Sequence, residues 1–442
     1  MTNIVDAFDA AARIRPDAIA IESTDGTLSY RDLQQAMVRV SSGLVDRGLR
    51  PGDRVMTLTE NSVGAVVIYL ALARSGIVNV PVNRMLTEPE VGAIADASEA
   101  AVFIYQPPWR EIAESVTGER SGLIAVTVDE VLSNTTDGLL AAPARTTRDS
   151  PVSVIFSSGT LGVPKGCLKS HGNHLAAAIN TQLTAPRGCE DVELFVIPVS
   201  GIGFANFVLP SLYVGARVIV ERFDVERAWT ALAERGVTTT FMAGTMLNAL
   251  VEASGAYPRP RDLRILQTSY EISDVQRCAM VDVFGDSVFR YGYGSIEGGL
   301  TWSASDTFIA EPSCVGSPQA GLDRFAIVGE DGSAAPVGAT GEIVVSGPTV
   351  MLRYLSADEV LPSDADGERI FATGDLGHVD TQGRLHFDGR LKDMIKTRGA
   401  QRHGTGGRSR HRGTPGRRAG RGRRSAGCSM GGAGRGRGGC AA

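Results

Sequence analysis

Residues 157–166 have the composition of a loop that holds a polyphosphate. The segment reads Ser-Ser-Gly-Thr-Leu-Gly-Val-Pro-Lys-Gly and follows the apolar, largely β-branched residues 152–156, which predict a buried strand. Glycines let the backbone approach a ligand closely, hydroxyl groups donate hydrogen bonds, and Lys165 supplies a cation for phosphate oxygens. The end of such a strand is also where α/β proteins bind ligands. The sequence therefore predicts a phosphate-binding loop, and an ordinary surface turn rich in Gly and Pro is the alternative.

The position of the lysine separates this loop from the Walker A type. That pattern requires Gly-Lys-Ser/Thr, whereas Lys165 stands between Pro164 and Gly166. The spacing instead resembles the signature loop of the adenylate-forming superfamily, and in particular that of the AMP-dependent acid–CoA ligases, or acyl-CoA synthetases. The resemblance implies a loop that grips the phosphates of ATP, and its expected binding residues are Ser157, Ser158, Gly159, Thr160, Gly162, Lys165 and Gly166.

Two further segments resemble core motifs of the same family. Residues 291–297 read Tyr-Gly-Tyr-Gly-Ser-Ile-Glu, and the resemblance implies that Tyr293, followed by Gly294, stacks on adenine while Glu297 ligates magnesium. An aromatic face suits a base, and magnesium takes few carboxylates together with phosphate oxygens. Residues 372–377 read Ala-Thr-Gly-Asp-Leu-Gly, and Asp375 is expected to accept hydrogen bonds from both ribose hydroxyls.

Residues 389–399 resemble the hinge motif of the family. Arg390 would reach the ribose or a phosphate, and Lys392 would be the residue about which a small C-terminal domain turns. Each motif alone has an ordinary interpretation, because Thr-Gly-Asp is a frequent turn and runs of Lys and Arg are usually solvated. Their joint order and spacing from about residue 5 to residue 399 favour the family.

The resemblance implies an enzyme with two half-reactions. A carboxylic acid and ATP would give an acyl-adenylate and pyrophosphate, and coenzyme A would then displace AMP. The expected cofactors are ATP, magnesium and coenzyme A as a co-substrate, and the expected catalytic residues are Lys165 and Glu297, with no protein nucleophile. The partner is a small-molecule carboxylic acid.

The pattern of strands and helices around these motifs predicts an α/β fold. Strand and helix patterns alternate along most of the chain, which indicates parallel sheets covered by helices on both faces. From residue 323 short strands with Gly turns indicate a smaller β-rich part. The family implies the large N-terminal domain of an acyl-CoA synthetase, with two parallel-sheet αβαβα subdomains and a β-rich subdomain. The expected parts are residues 1–322 for the paired subdomains, 323–390 for the β-rich subdomain, 391–399 for a hinge remnant and 400–442 for a tail.

Composition limits the possible function classes. The 442 residues are 43% hydrophobic and 21% charged, as in a soluble globular enzyme. No signal peptide and no run of about 18 apolar residues is found, so a cytoplasmic protein without a membrane span is expected. The six cysteines show no Cys-x-x-Cys spacing, which argues against a zinc site and a disulfide framework. The sequence does not indicate the oligomeric state.

The final residues are a different kind of sequence. Residues 400–442 contain 14 Gly and 11 Arg but no Lys, Asp, Glu, Leu, Ile, Val or Phe, while the rest of the chain carries a formal charge of −16. Such a segment cannot bury a core, so a disordered tail is expected in place of the family's C-terminal domain and its catalytic lysine. Ligation by this chain is therefore expected to be impaired.

Two interpretations of the tail remain open. Its guanidinium groups could bind nucleic acid, although aromatic residues for base stacking are lacking. The favoured interpretation is a shifted reading frame after Gly399, and nucleic acid is then not a partner. Codons allowed for residues 401–410 admit Asn-Val-Thr-Ala-Pro-Glu-Val-Glu-Ala-Val in the shifted frame, which resembles the family sequence after the hinge.

Several positions depart from the family pattern. Ile296 and Leu161 replace threonines, and residues 199–203 replace an aromatic–histidine gate. Within that segment two glycines would open the acyl pocket, and residues 268–270 stand where the family has a pocket wall. Fatty, aryl and short-chain acids all remain possible substrates, as does the role of an adenylation domain that serves a carrier protein.

Overall fold

The structure is a computed structural model, and it divides the chain into two compact units, Met1–Lys392 and Asp393–Ala442. The described residues are 1–133, 142–157, 165–269, 272–317, 322–355, 361–391, 394–397 and 400–403. All elements named below except the last two strands belong to the first unit.

The helices follow the predicted alternation with strands. Helices α1–α12 are Val5–Ile14, Tyr30–Asp46, Val63–Arg74, Glu88–Ser98, Arg110–Gly118, Val128–Ser133, His171–Thr184, Leu209–Tyr213, Val225–Glu234, Gly244–Ala253, Asp274–Phe284 and Thr307–Ala310. A π-helical turn, Phe204–Val208, precedes α8. Helix α3 is apolar all round and is buried at consecutive positions, whereas α2 is amphipathic. The residue before α2, Ser29, is its N-cap, and the Ser29 side chain accepts a hydrogen bond from the backbone N–H of Asp32.

The strands are short and mostly buried. Strands β1–β22 are Ile19–Ser23, Gly26–Ser29, Arg54–Leu58, Val78–Pro81, Val102–Tyr105, Ile124–Thr127, Pro151–Ser157, Lys165–Ser170, Val192–Phe195, Arg217–Val220, Thr239–Phe241, Ile265–Thr268, Phe289–Gly294, Leu300–Trp302, Cys314–Gly316, Arg324–Val328, Gly341–Ser346, Arg353–Tyr354, Ile370–Val379, Leu385–Arg390, Met394–Thr397 and Ala400–His403. Strands such as β3 and β5 are runs of buried residues because helices cover both faces of their sheet.

Two sheets among the described strands are largely parallel, which confirms the α/β prediction. One has the order β14-β13-β12-β11-β9-β10-β1-β2, and the other has the order β18-β8-β7-β4-β3-β5-β6. Neighbours are parallel from β13 to β1 and from β7 to β6, and the remaining strands join antiparallel at the edges. The third sheet, β15-β20-β19-β17-β16, is antiparallel and corresponds to the β-rich part.

The boundaries of the β-rich part differ from the expected ones. Strand β15 lies before residue 323 but pairs with β20, and β18 lies within residues 323–390 but pairs with β8 of the seven-stranded sheet. The sequence pattern also gave no signal for β8 and α7, which follow the phosphate loop. Residues Lys165–Ser170 mix charged and small side chains, so no apolar run marks the strand.

The second unit contains one described antiparallel pair, β21 with β22. Met394 lies opposite His403 and Thr397 lies opposite Ala400. The expectation of disorder from residue 400 onward therefore does not hold for Ala400–His403. Residues 404–442 lie outside the described residues, so the nature of the tail stays a prediction. Among the described residues, no helix has the length and apolarity needed to cross a membrane.

Candidate functional site

The predicted phosphate loop is the connection of a hairpin between β7 and β8. The two strands pair antiparallel, with Ser157 directly opposite Lys165 and Phe156 opposite Gly166. Ser157 is half-buried and Lys165 is exposed. A Cβ atom on Gly166 would lie 2.8 Å from Val154 Cγ1, so the hairpin is too tight there for a side chain. The other four residues predicted to hold phosphates lie outside the described residues; they are Ser158, Gly159, Thr160 and Gly162.

Tyr354 brings the loop lysine and the predicted metal-binding glutamate together. It lies in β18, opposite Cys167 of β8. The Lys165 Nζ atom lies 5.1 Å from the centroid of the Tyr354 ring, and the Tyr354 hydroxyl donates to Glu297 Oε1 at 2.8 Å. Burial and the neighbouring Glu297 raise the pKa of Tyr354, so the hydroxyl remains a donor. A cation and a carboxylate thus lie against one tyrosine side chain.

Lys169 fixes the backbone of the Glu297 segment. Its ammonium group is buried and donates to the carbonyl oxygens of Ile296 at 3.0 Å and of Glu297 at 3.3 Å. A third hydrogen bond of 2.8 Å goes to the carbonyl oxygen of Thr349. Burial lowers the pKa of Lys169 from 10.5 to about 8, while the negative charges nearby oppose this change. The segment that carries Glu297 is therefore tied directly to β8.

Three side chains of this region lie on one face of strand β8. Lys165, Cys167 and Lys169 are two residues apart, so their side chains point to the same side of the strand. The Cys167 thiol is buried between the two lysines, and its pKa is raised by burial and by the carboxylate of Glu297. The thiol therefore stays neutral and serves as a packing group beside the carboxylate.

A second cluster joins β13 to the antiparallel sheet. The Tyr293 hydroxyl donates to Asp375 Oδ2 at 2.9 Å, and Arg390 Nε lies 3.2 Å from Asp375 Oδ1. Asp375 and Arg390 are paired across β19 and β20, which fixes their approach. Burial raises the pKa of Asp375, while the contacts with Tyr293 and Arg390 oppose the rise. The Tyr293 ring also stacks against Phe387, with 5.9 Å between the centroids.

A cavity of about 170 Å³ adjoins both clusters. Its polar side is formed by the segment that contains Tyr293, Gly294 and Ile296, together with Lys169. Most of its other lining residues are apolar or aromatic, and they include Ala177, Ile197, Phe207, Phe241, Leu300 and Trp302. A molecule with one polar and one apolar end could therefore occupy a single continuous space.

Some of the departures from the family pattern line this cavity, namely Ile296, Ile202 and Gly203, whereas Leu161 lies outside the described residues. Gly203 lines it, but a Cβ at this position would lie 2.2 Å from Ile197 Cδ1, so the isoleucine fills the space that the glycine leaves. Gly201 has only backbone atoms near its would-be Cβ. Ser269 contributes to the wall as expected, while Tyr270 lies outside the described residues. The hinge residue Lys392 also lies outside them.

Another group of potential metal ligands lies at the edge of the antiparallel sheet. Glu311, Cys314 and His386 place ligand atoms within 4.8 Å of one another. Arg384 already donates to both oxygens of Glu311, at 2.8 and 2.6 Å, and both ring nitrogens of His386 are hydrogen-bonded. Burial raises the pKa of the Cys314 thiol, which disfavours the thiolate that binds metals. The group is therefore explained as a hydrogen-bonded network.

Sequence reasoning missed Tyr354 and Lys169 as site residues. Their contacts with the Glu297 segment span 57 and 128 positions along the chain, so no local pattern reveals them. Recognition of β8 as a strand would have helped, because Lys165 and Lys169 then fall on one face. Of the predicted motif residues, Lys165 and Glu297 both contact Tyr354, Asp375 contacts both Tyr293 and Arg390, and Tyr293 lines the cavity.

Comparison with known proteins agrees with this arrangement. The family model described as "AMP-binding enzyme" matches residues 8–355. A feruloyl-CoA synthase from Amycolatopsis sp is 32% identical over 406 residues, which cover 87% of this chain and 78% of the relative. The inhibitor-bound N-terminal domain of FACL13 from Mycobacterium tuberculosis has a TM-score of 0.81 at 24% identity and covers 88% of this chain and 100% of that domain.

A solved structure with ATP is also similar. MatB from Rhodopseudomonas palustris bound to ATP has a TM-score of 0.77 at 25% identity, and the match covers 91% of this chain and 81% of that protein. The match of the family model to most of the chain, together with these relatives, shows the family directly. The chain belongs to the AMP-binding enzymes, and the relatives that it matches are acyl-CoA synthetases and ligases.

Proposed function

We propose that this chain activates a carboxylic acid with ATP and magnesium, as the first half-reaction of an acid–CoA ligase. The observation that carries the proposal is the contact of Tyr354 with both Lys165 and Glu297, at the base of the predicted phosphate loop. Independent support comes from the family match and from the ATP-bound structure of a similar protein.

The residues fit magnesium and the triphosphate. Glu297 offers a carboxylate, and magnesium commonly combines one or two carboxylates with phosphate oxygens. Its segment is fixed by Lys169, so the carboxylate is preorganised. Lys165 would neutralise phosphate charge together with the hydroxyl groups of the loop. When bound, magnesium would supply further charge neutralisation on the phosphates.

The Tyr293–Asp375 cluster fits a nucleoside. An ionised carboxylate has about four acceptor positions, and the contacts with Tyr293 and Arg390 leave room for the two hydroxyls of a ribose. Tyr293 and Gly294 line the cavity, so the base would lie against this segment. Asp375 must be ionised for this role, and we expect adenosine binding to weaken when the pH falls towards its raised pKa.

The proposed chemistry depends on the positioning of the reactants and on the neutralisation of phosphate charge, and it uses no protein nucleophile. A carboxylate oxygen of the acid attacks the α-phosphorus, the bond from that phosphorus to the bridging oxygen breaks, and pyrophosphate leaves. Coenzyme A then attacks the acyl carbon through sulfur, loses its thiol proton, and releases AMP. Binding the acid next to the α-phosphate of ATP would account for much of the rate, since proximity and charge stabilisation are the main contributions.

Full ligation by this chain is expected to be slow. The family resemblance implies a catalytic lysine beyond the hinge, and residues 400–442 contain no lysine. We therefore expect ligand binding to be retained and turnover to lie below the usual range of about 1 to 10³ per second. Thioester formation with a panel of acids measures this directly, and turnover within the usual range would contradict the expectation.

Calorimetric titration with ATP and magnesium tests the proposed site. We expect Glu297→Gln to remove the dependence of ATP affinity on magnesium, and Lys165→Met to weaken ATP with and without the metal. Glu252→Gln is the matched control, because Glu252 is an exposed carboxylate on α10 and does not line the cavity. Equal magnesium dependence in Glu297→Gln and in Glu252→Gln would contradict the proposal.

A further inference from the structure

The ammonium group of Lys169 lies among three main-chain carbonyl oxygens. Its Nζ atom lies 2.8 Å from the oxygen of Thr349, 3.0 Å from that of Ile296 and 3.3 Å from that of Glu297. These three oxygens, here called the carbonyl cage, come from two segments that are far apart in the sequence and outside strand β8, which carries the lysine. Groups of carbonyl oxygens also replace the water shell of potassium ions in proteins. The surroundings of the ammonium group are therefore those of a bound monovalent cation.

Contacts that do not involve the lysine hold the cage in place. The Glu297 carbonyl oxygen also accepts from the backbone N–H of Met351, at 2.7 Å. The amide group of Asn173 donates to the carbonyl oxygens of the two residues on either side of the cage threonine, at 2.7 and 2.8 Å. The cage should therefore keep its shape when the ammonium group is removed, and three carbonyl dipoles would then face one vacated position.

Negative charge beside the cage favours a cation in it. Asp323 is 2% exposed, and its carboxylate accepts from the backbone N–H of Thr349 at 3.1 Å and from the Thr349 hydroxyl. The charges of Asp323 and Glu297 favour the protonated form of Lys169, whereas Arg369 disfavours it. Without a cation, the Asp323 charge would lie buried beside carbonyl oxygens that repel it, which is unfavourable.

The dimensions of the cage fit a monovalent cation better than a divalent one. Its distances of 2.8, 3.0 and 3.3 Å exceed the about 2.3–2.6 Å of calcium–oxygen contacts and the about 2.0–2.1 Å of magnesium–oxygen contacts. An ammonium ion donates hydrogen bonds at these distances, as the lysine does, and a potassium ion is of similar size. Lys169, Ile296 and Thr349 all line the cavity, so an ion in the cavity could reach the cage once the side chain is shortened.

We propose that Lys169 serves as a built-in monovalent cation, and that the carbonyl cage binds ammonium or potassium from solution when this side chain does not fill it. The cation holds the segment that carries Glu297, so the inference rests on the proposed function where it concerns magnesium–ATP. Binding of the monovalent cation itself does not depend on that function. The unchanged chain should therefore be indifferent to potassium, whereas a chain without the Lys169 ammonium group should respond to it.

Lys169→Ala tests the cage by calorimetry with magnesium–ATP and by the melting temperature, both at one fixed ionic strength. In choline chloride the variant should bind magnesium–ATP about tenfold more weakly than the unchanged chain. In potassium or ammonium chloride its affinity should return to within about threefold of that of the unchanged chain. Its melting temperature should also rise relative to that of the unchanged chain, because the cation binds the folded chain alone.

Two other variants separate the cage from other places where a cation could act. Lys165→Ala removes the exposed lysine on the same face of β8, and its affinity for magnesium–ATP should be equally low in every salt. Lys169→Met keeps an apolar side chain of similar length and loses the ammonium nitrogen, so it replaces Lys169→Ala if the alanine variant does not fold. The same response to potassium and ammonium is expected of it.

The outcomes that contradict the inference are distinct from those that contradict the proposed function. Equal affinities and melting temperatures of Lys169→Ala in all salts would overturn the cage, as would failure of both Lys169 variants to fold in potassium and ammonium chloride. Restoration of Lys165→Ala by potassium would place the cation at the phosphates and would also overturn it. If the unchanged chain does not bind magnesium–ATP, the proposed function fails, and the melting temperatures still decide for or against the cage.

Discussion

Replacement of Lys169 by methionine isolates the contribution of one buried charge. A pKa lowered from 10.5 to about 8 corresponds to about 3 kcal/mol of free energy. Between these pH values the unfolded chain binds the proton and the folded chain does not. The free energy of unfolding should therefore rise with pH across this window, by about 3 kcal/mol in total, and the contribution should be constant below pH 8. Lys169→Met should lack this rise.

The charged neighbours of Lys169 do not change this sign. Asp323 and Glu297 favour its protonated form and Arg369 disfavours it, but burial is the largest influence on its pKa. The unchanged chain and the Lys169→Met variant share these neighbours, so the difference between their unfolding curves reports the titration of Lys169. The loss of three hydrogen bonds to carbonyl oxygens should also loosen the Glu297 segment, and magnesium–ATP should bind about tenfold more weakly.

Two measurements check the prediction. The chain has four lysines, Lys165, Lys169, Lys392 and Lys396, so carbon-13 labelled lysine gives few NMR signals to follow during a pH titration. The signal missing from Lys169→Met should titrate near pH 8, and urea unfolding at several pH values gives the stability difference. Lys165→Met is the control, because Lys165 is exposed on the same face of β8. A Lys169 signal that titrates near 10.5, or parallel stability curves, would refute the reasoning.

Three further variants test separate contacts. Tyr354→Phe removes the hydrogen-bond donor to Glu297 but keeps the ring near Lys165. The affinity for magnesium–ATP, measured by calorimetry, should therefore fall about threefold to tenfold with little change in melting temperature. An unchanged affinity contradicts the assigned contact. Asp375→Asn should weaken the binding of ATP about tenfold but leave the binding of 2′,3′-dideoxy-ATP unchanged. An equal loss of affinity for both nucleotides argues against a ribose contact. Glu193→Gln leaves the charge of the buried Arg187 without its partner, so the free energy of unfolding measured in urea should fall by about 3 kcal/mol. A fall of less than about 1 kcal/mol means that the ion pair is not essential for stability.

The parts of the fold predicted from sequence are those with local signals. Strands such as β3 and β5 are continuous apolar runs, and α2 has a helical period with a capping serine. The motif residues could be named because the loop, the Tyr293–Glu297 segment and the Asp375 turn are each short and specific in composition. The α/β class follows from that information, whereas, of the described parts of these motifs, only the segment with Tyr293 and Ile296 lines the cavity.

The parts that sequence did not reveal depend on distant contacts. Strand β8 has no apolar run, and it is a strand because it pairs with β7 and β18 on its two sides. Tyr354 and Lys169 acquire their roles through hydrogen bonds that join separate sheets and segments.

A crystal structure of the chain with an acyl-sulfamoyl adenosine, which mimics an acyl-adenylate, tests the proposed site as a whole. The ribose hydroxyls should lie within hydrogen-bond distance of Asp375, the base should lie against Tyr293, and the acyl group should enter the cavity beside Trp302. A ligand bound away from these residues, or an acyl group that leaves the cavity empty, would show that the site is assigned wrongly.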